Sequence, residues 1–452
     1  MMALPPTDIE PNPIQRIADS CPGKLSEYLD LFHPVDSKGR YLHYDELQYR
    51  IPKGLDLHLV WSFVKLARKM QQKSLLFLGE PAKNCSFYLT PAIQKAISET
   101  DRHATTASLE WMCSKIGEQL YVKYLLNDLI EDEAISSSQL EGAATTTKTA
   151  KELLKHQRKP RTPDERMILG NFKMMRFAWE NRHKSLSNEI IASLHKVGVE
   201  DIDDSKYRPG VFRTSNDVEV VDGEGNTVHI PPSFESLGKR LQNLCDWANE
   251  DHHDVESQDY IHPLIKAIVL HFTIGFEHPF HDGNGRVARA LFYWYMFKND
   301  FAAFRYIAIS VLLKSAPAKY GRSYLFSESD EMDLTYFINY QCGIISRAIS
   351  EFKRLHKKAL HDTEEFNTWL WSSDLYKQLS DKQRTVFQVA KNGVAPAFTV
   401  ANVQDNLGCS YNTAAKVLNG LVDLRLFAKK KQGKTWVYAM RPKREIQSSW
   451  SR

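Results

Sequence analysis

The sequence predicts a mainly α-helical protein, broken once by a β-hairpin and closed by a small basic domain of three helices and two strands. Three observations predict it. Apolar residues recur at threes and fours through most of the chain, as at Leu57, Val60, Trp61 and Val64, the spacing that gathers them on one helix face. Gly210 to Pro232 departs from that spacing, with β-branched residues on both sides of Asp222-Gly223-Glu224-Gly225, a hairpin signal. From Asp381 to Arg452 there are thirteen Lys and Arg against four Asp and Glu, a net +9, which leaves −5 on the remainder of a chain whose total is +4.

In chain order, residues 1 to about 45 read as irregular, with Pro5, Pro6, Pro11, Pro13 and Pro34, and open an accessory region over 1–104. Helical spacing begins with the segment that carries Leu57 and Trp61. Most of 105 to 205 reads as helix, with Leu120, Leu125, Leu126 and Ile130 as one stripe. After the hairpin, helices resume near Glu235 and continue through the 350s, completing a central domain over 105–355. A charged connector, Lys353 to Glu365, leads to the last domain, 375–445.

Composition bounds the function. The 452 residues exceed what one core usually serves, so two or three domains are expected. With 42% hydrophobic and 25% charged residues the chain is of ordinary globular type, and no apolar run reaches the length of a membrane span. The Pro-rich, acidic start lacks the basic and apolar regions of a signal peptide. Six scattered cysteines without a Cys-x-x-Cys pair argue against a disulfide framework and a zinc knuckle, and fit a reducing cytoplasm. The basic tail points to nucleic acid, with a solvated basic surface as the plainer alternative.

The chemistry concentrates in His278 to Arg289, "HPFHDGNGRVAR". Asp-Gly and Asn-Gly pairs often mark hairpin turns. Here the flanks carry helical stripes, Leu264, Ala267, Ile268 and His271 before and Val287, Ala290, Leu291 and Trp294 after, so the stretch reads as helix, loop, helix. A second helix starting near Asn284 turns free N–H groups and its positive dipole end toward the loop, a seat for an anion. Arg286 and Arg289, three apart, add two guanidinium groups on one face. Gly283 and Gly285 let a ligand approach the backbone. Asp282 repels phosphate by itself but can hold Mg²⁺ that bridges phosphate oxygens. His278, at the end of the first helix, can accept a proton near neutral pH. Together these residues describe attack on a metal-bound polyphosphate, without the Gly-x-x-x-x-Gly-Lys-Ser/Thr of the P-loop.

The stretch resembles the Fic-domain signature, His-x-Phe-x-Asp/Glu-Gly-Asn-Gly-Arg-x-x-Arg, at every fixed position, and looser similarity runs from about Leu120 to Ile345. The resemblance implies a helical core with a hairpin flap that transfers AMP from ATP to a Tyr, Ser or Thr hydroxyl of a target protein or of itself. It implies His278 as the base, Mg²⁺ on Asp282, an anion hole from Gly283, Asn284 and Gly285, Arg286 on the β-phosphate and Arg289 on the γ-phosphate, with Phe280 anchoring the loop. A lysine stands at the place of Gly285 in phosphate-transferring relatives, so glycine there favours AMP transfer. Two other readings stay open. His278, His281 and Asp282 could form a two-His-one-carboxylate centre, and His281-Asp282 is similar to the dyad of HD-type metal phosphohydrolases. A DNA-binding transcriptional regulator with a nucleotide-sensing Fic core is the other. His252-His253-Asp254 reads as a polar loop.

Further upstream, Ser137-Ser138-Gln139-Leu140-Glu141-Gly142 is similar to the family's inhibitory motif in its N-terminal, same-chain form. The resemblance implies that Glu141, with Ser137, takes the arginine meant for the γ-phosphate and misplaces the α-phosphate for in-line attack. In some relatives the same glutamate positions water to remove AMP, so de-AMPylation is left open. Gly210-Val211-Phe212-Arg213 and Ile230-Pro231-Pro232 match the flap, whose edge would receive a target segment by strand addition. Thr227, Val228 and His229 would border the nucleotide and Tyr320 the adenine; where relatives carry an asparagine about eight residues later, this chain reads Glu328-Ser329-Asp330.

In the last domain, helices carrying Val386 and Phe387, then Val403 and Leu407, then Ala414, Leu418 and Leu421 precede two strands with a Lys-Gly tip. That layout resembles a winged helix-turn-helix. In its DNA-binding mode Tyr411, Asn412 and Thr413 would face bases, and Lys429, Lys430, Lys431 and Lys434 would reach phosphates. The alternative is a packing or dimerisation module, and a homodimer is left open. The target protein, possible partners beyond ATP and DNA, and the modified residue are not named by the sequence.

Overall fold

The computed structural model describes residues 2–116, 131–156, 158–204, 206–252, 254, 256–257, 259–391, 397–432 and 435–450. The expected stripe from Leu120 to Ile130, His253 and Lys434 lie outside these residues. The fold is mainly α, and among the described residues its β structure comprises three two-stranded antiparallel sheets. By internal contacts the described residues fall into two units, 2–106 with 131–350 and 107–116 with 351–450.

The first unit is centred on two helices, Pro263–Glu277 and Asn284–Lys298, whose apolar residues are almost all buried. Pro163–Glu180 and Asn188–Val199 pack around them, and their crossing is close because both carry glycine where they meet: a Cβ on Gly170 would lie 2.2 Å from the carbonyl oxygen of Gly198. Each start is capped by the residue type that capping demands, with Thr162 and Ser187 accepting backbone N–H bonds from the first turns. The expected hairpin is present as Val220–Val221 paired with Thr227–His229, with Asp222 accepting from Asn226 across the turn.

The N-terminal region is more ordered than its prolines imply. Helices Pro13–Ser20 and Leu25–Leu29 form within the stretch read as irregular: Pro13 starts the first and Pro22 starts the 3-10 turn Pro22–Lys24 that leads into the second, positions where a proline's missing N–H leaves no bond unmade. An additional hairpin, Lys73–Leu78 with Lys83–Phe87, also escaped the sequence reading. This region is joined to the core by a buried charged cluster. Lys65 pairs with Asp330 at 2.7 Å, the Tyr41 hydroxyl donates to Asp333 at 2.6 Å, and Arg68 donates to the Tyr336 hydroxyl at 2.7 Å while lying over the Tyr41 ring. Removing one partner would leave an uncompensated buried charge, a change that costs about 3–5 kcal/mol.

In the second unit, the stretch read as a charged connector is helical, within Thr335–Ser372, a helix with residues in both units. Its Lys, Arg and Glu residues are good helix formers and need no loop. Beyond it, Asp381–Lys391, Val400–Leu407 and Tyr411–Asp423 surround Val386, Phe387, Val403, Leu418 and Leu421. Thr399 and Asn402 form a reciprocal capping box, Gly408 ends the middle helix at φ +56°, and Ser410 caps the third. Phe427–Gln432 then pairs with Thr435–Met440.

Candidate active site

His278 follows the last residue of Pro263–Glu277 and adopts a left-handed conformation, φ +46° and ψ 59°. For a residue with a Cβ this costs on the order of 1 kcal/mol, and its surroundings hold it there. Arg213, buried at 3% exposure, donates from Nε to the His278 carbonyl at 3.0 Å and reaches the carbonyls of Glu277, Pro232 and Ser215, while its own N–H donates to Pro279 at 2.8 Å. One guanidinium thus ties the hairpin segment to the loop. The His278 Nδ1 lies 3.1 Å from the Gly275 carbonyl oxygen. A carbonyl only accepts, so Nδ1 carries the proton and the Nε2 lone pair is left to take one. Burial pushes the ring's pKa down to about 4; the Gly275 bond opposes that shift and the neighbouring His229 adds to it.

The loop beyond is shaped by its own side chains. Phe280 is fully buried and stacks on the His195 ring, centroids 3.8 Å apart. Asn284 accepts from the Phe280 N–H at 2.9 Å and donates to its carbonyl at 2.8 Å, so its side chain closes the loop from inside. Gly283, at φ +85°, turns the chain into Asn284–Lys298. His195 accepts from the Gly210 N–H at 3.1 Å through Nδ1, and its Nε2 lies 2.9 Å from the Asp282 carbonyl oxygen. It is therefore a neutral ring with Nε2 protonated, in keeping with a pKa pushed by burial to about 4. Asp282 Oδ2 pairs with Lys206 at 2.9 Å.

Both arginines of the loop helix are buried, each at 1% exposure. Arg289 donates to Ser137 Oγ at 2.8 Å and to Glu141 Oε1 at 2.7 Å. Burial works against its charge, but the Glu141 carboxylate outweighs this and raises its pKa. Among the described residues Arg289 Nη1 and Arg286 Nε are buried N–H groups without a hydrogen-bond partner. Among the described residues Arg286 has no carboxylate partner; it lies 5.4 Å from the Tyr207 ring centroid. Buried guanidinium N–H groups call for acceptors. The Glu141 carboxylate also sits above the helix start: a Cβ on Gly285 would meet its Oε1 at 2.3 Å. A carboxylate already rests where the helix N-terminus favours an anion. The helix over 131–140 that presents Ser137 is itself held by Glu133, which accepts from the Ser310 N–H at 2.8 Å.

Residues 185–296 match the Fic/DOC family. The chain carries a Fic domain. It is similar to the protein adenylyltransferase fic-1 of Caenorhabditis elegans, 37% identical over 71 residues, 16% of this chain and 13% of that one. It is also similar to protein adenylyltransferase Fic of Nematostella vectensis, 36% identical over 63 residues, 14% of each chain. The chain therefore spans about a seventh of the length of these relatives. Among solved structures it is similar to a Fic family protein from Desulfovibrio desulfuricans, with TM-score 0.48 and 18% identity, covering 78% of this chain and 96% of that one.

The Fic domain brings most of the expected residues together around the loop. His229 is engaged on both ring nitrogens, Nδ1 with Glu328 at 2.7 Å and Nε2 with the Phe276 carbonyl at 2.7 Å. Two acceptors call for a doubly protonated ring, and although burial opposes the charge, Glu328 raises the pKa. Thr227 is exposed and donates to Glu219, and Val228 is half-buried beside it. The Tyr320 hydroxyl meets His271 Nε2 at 2.7 Å. His281 does not join a metal centre with His278 and Asp282. The other two are turned to Gly275 and Lys206, and among the described residues no group of three His, Cys, Asp or Glu converges. In the second unit Tyr411 is 58% exposed at its helix start, with Asn412 and Thr413 following; Lys429, Lys430 and Lys431 are exposed on Phe427–Gln432.

Sequence reasoning missed the roles of Arg213, His195, Lys206 and Glu133. Arg213, His195 and Lys206 act on the loop from far along the chain, and Glu133 ties its own helix to the distant Ser310. Among the described residues no helix is long and apolar enough to cross a membrane.

Proposed function

We propose that the protein is an adenylyltransferase that moves AMP from ATP to a hydroxyl of a protein, itself included, and is restrained by Glu141. The observation that carries this reading is the His278 ring, with Nδ1 committed to Gly275 and Nε2 left basic at the edge of a loop that holds an anion seat. Nε2 takes the proton of the acceptor hydroxyl, whose oxygen attacks the α-phosphorus as pyrophosphate leaves. Arg286 offers its unpaired N–H to the β-phosphate, and the helix start supplies backbone N–H groups. Asp282, at the loop mouth with one oxygen paired to an exchangeable lysine, fits a divalent cation; when bound, Mg²⁺ would neutralise charge on the phosphates.

The names of the relatives support the transferase class, and the Arg289–Glu141 pair supports the restraint. The second unit supports a further reading as a winged helix that binds DNA, from its capped helices and the exposed lysines of its hairpin. The test is ATP labelled on its α-phosphate. Label on protein that disappears in His278→Ala is expected; label that persists in that variant, or none with Glu141 removed, overturns the assignment.

A further inference from the structure

Asp282 presents a difficulty for any polyphosphate. A carboxylate at the mouth of an anion seat repels phosphate unless a cation neutralises it, and a divalent ion does so only when one is bound. In this structure the neutralising charge comes from the chain itself. Lys206 Nζ lies 2.9 Å from Asp282 Oδ2, while Oδ1 accepts from the Gly283 N–H. Lys206 stands outside the loop motif, in the segment that leads to the hairpin. Its ammonium lies 5.0 Å from the Tyr207 ring centroid, the ring that the Arg286 guanidinium also faces at 5.4 Å, and 3.9 Å from Asp204. The pair is accessible, with side-chain exposures of 53% for Lys206 and 30% for Asp282. An exposed pair contributes little to stability, so it exchanges readily for a stronger ligand.

We propose that Lys206 is the resident counter-cation of Asp282: it neutralises the carboxylate when no divalent ion is bound, so that a nucleotide's phosphates enter the site without metal, and it yields Oδ2 when a divalent ion arrives. Lys206 is thus a positioning residue that separates nucleotide binding from metal binding. Metal-free nucleotide occupies the site in an unreactive form, and the metal then converts it. This rests on the nucleotide reading of the loop.

Calorimetric titration of the full chain with ADP, in EDTA and in saturating Mg²⁺, tests it. ADP lacks the γ-phosphate that Arg289 would hold, and Glu141 is the same in every variant compared, so its contribution cancels. Lys206→Met is expected to weaken ADP binding about tenfold in EDTA, the effect of roughly one uncompensated charge in a partly screened site, and much less in Mg²⁺. Lys206→Arg should bind like wild type in EDTA. Asp282→Asn combined with Lys206→Met should recover metal-free affinity, because both charges are then gone. If Lys206→Met is silent in EDTA, or weakens ADP equally with and without Mg²⁺, or if the double variant is as weak as the single one, Lys206 is not the counter-cation, and the loop's role in binding nucleotide stands. Wild type that binds ADP in neither condition overturns the nucleotide reading itself.

Discussion

Replacing Glu141 by glycine should raise self-labelling by about one to two orders of magnitude. Arg289 is held at 2.7 Å by a carboxylate, within a buried setting that also includes Ser137 at 2.8 Å. A hydrogen bond to a charged group contributes about 1.5–3 kcal/mol net. If that preference keeps the arginine from the γ-phosphate, roughly 1–10% of the protein is competent at any moment, and removing the carboxylate makes the remainder available. The same substitution vacates the space above Gly285, where the carboxylate occupies the helix start. It also leaves Arg289 buried with Ser137 alone, so the variant should be less stable by about 1–3 kcal/mol. Activity and stability therefore move in opposite directions, a pattern that general loosening does not produce. The assay is transfer of α-phosphate label to the purified full chain, read beside thermal unfolding. Equal labelling in both proteins would refute the reasoning. So would a labelling increase matched by Glu141→Gln, if the glutamine variant kept Arg289 seated in a crystal structure.

Two other outcomes follow from the same geometry. His278 should stay neutral in the nucleotide-free protein to below pH 5, because burial lowers its pKa to about 4; labelling needs the neutral ring, so the ring's contribution is retained from pH 8 to 6 and lost as pH falls toward its pKa. An imidazole NMR titration with a midpoint near the ordinary histidine value, assigned by loss in His278→Ala, would contradict this. Replacing Lys429, Lys430 and Lys431 together by glutamine should weaken DNA binding uniformly across sequences and flatten the salt dependence by about three units of log–log slope, one per phosphate contact, measured by fluorescence anisotropy from low to moderate salt; an unchanged slope removes the hairpin from the interface.

How much of this was legible depends on whether a group's partner is near it in sequence. The loop was legible because its chemistry is contiguous: helical stripes on both sides fixed helix, loop, helix, and the structure places Asn284 at the second helix's start. The capped helices of the second unit were legible for a similar reason, since Thr399 and Ser410 act within three residues of themselves. The helices near Pro13 and Pro22 were not, because a first-turn proline and a loop proline look alike without the packing of Ile17 and Tyr28 against Trp61 and Phe63. The supporting residues were hidden for a different reason. Arg213 and His195 bind backbone carbonyls and N–H groups, which every residue offers, so nothing in the partner's identity points back to them. A lone histidine within the apolar stretch of Asn188–Val199 reads as a core residue, and only its stack on Phe280 shows what it supports.

The resting electrostatics of the site join these strands. Arg289 is answered by Glu141, His229 by Glu328, and Lys206 by Asp282. Among the described residues Arg213 is bonded to backbone carbonyls and Arg286 has no carboxylate pair but keeps a buried N–H open. On the proposed reading, a triphosphate approaching such a site finds one guanidinium without a carboxylate pair and must displace a carboxylate to reach Arg289. On that reading the first attachment would fall on the phosphate that Arg286 meets, with the γ-phosphate held back until Arg289 leaves Glu141. Binding and reactivity are separable for that reason. A nucleotide diphosphate should feel the Glu141 substitution less than ATP does, because only ATP also needs Arg289. That difference, measured as the ratio of ATP to ADP affinity in wild type and Glu141→Gly, reports on the Arg289 contact that the Glu141 carboxylate takes.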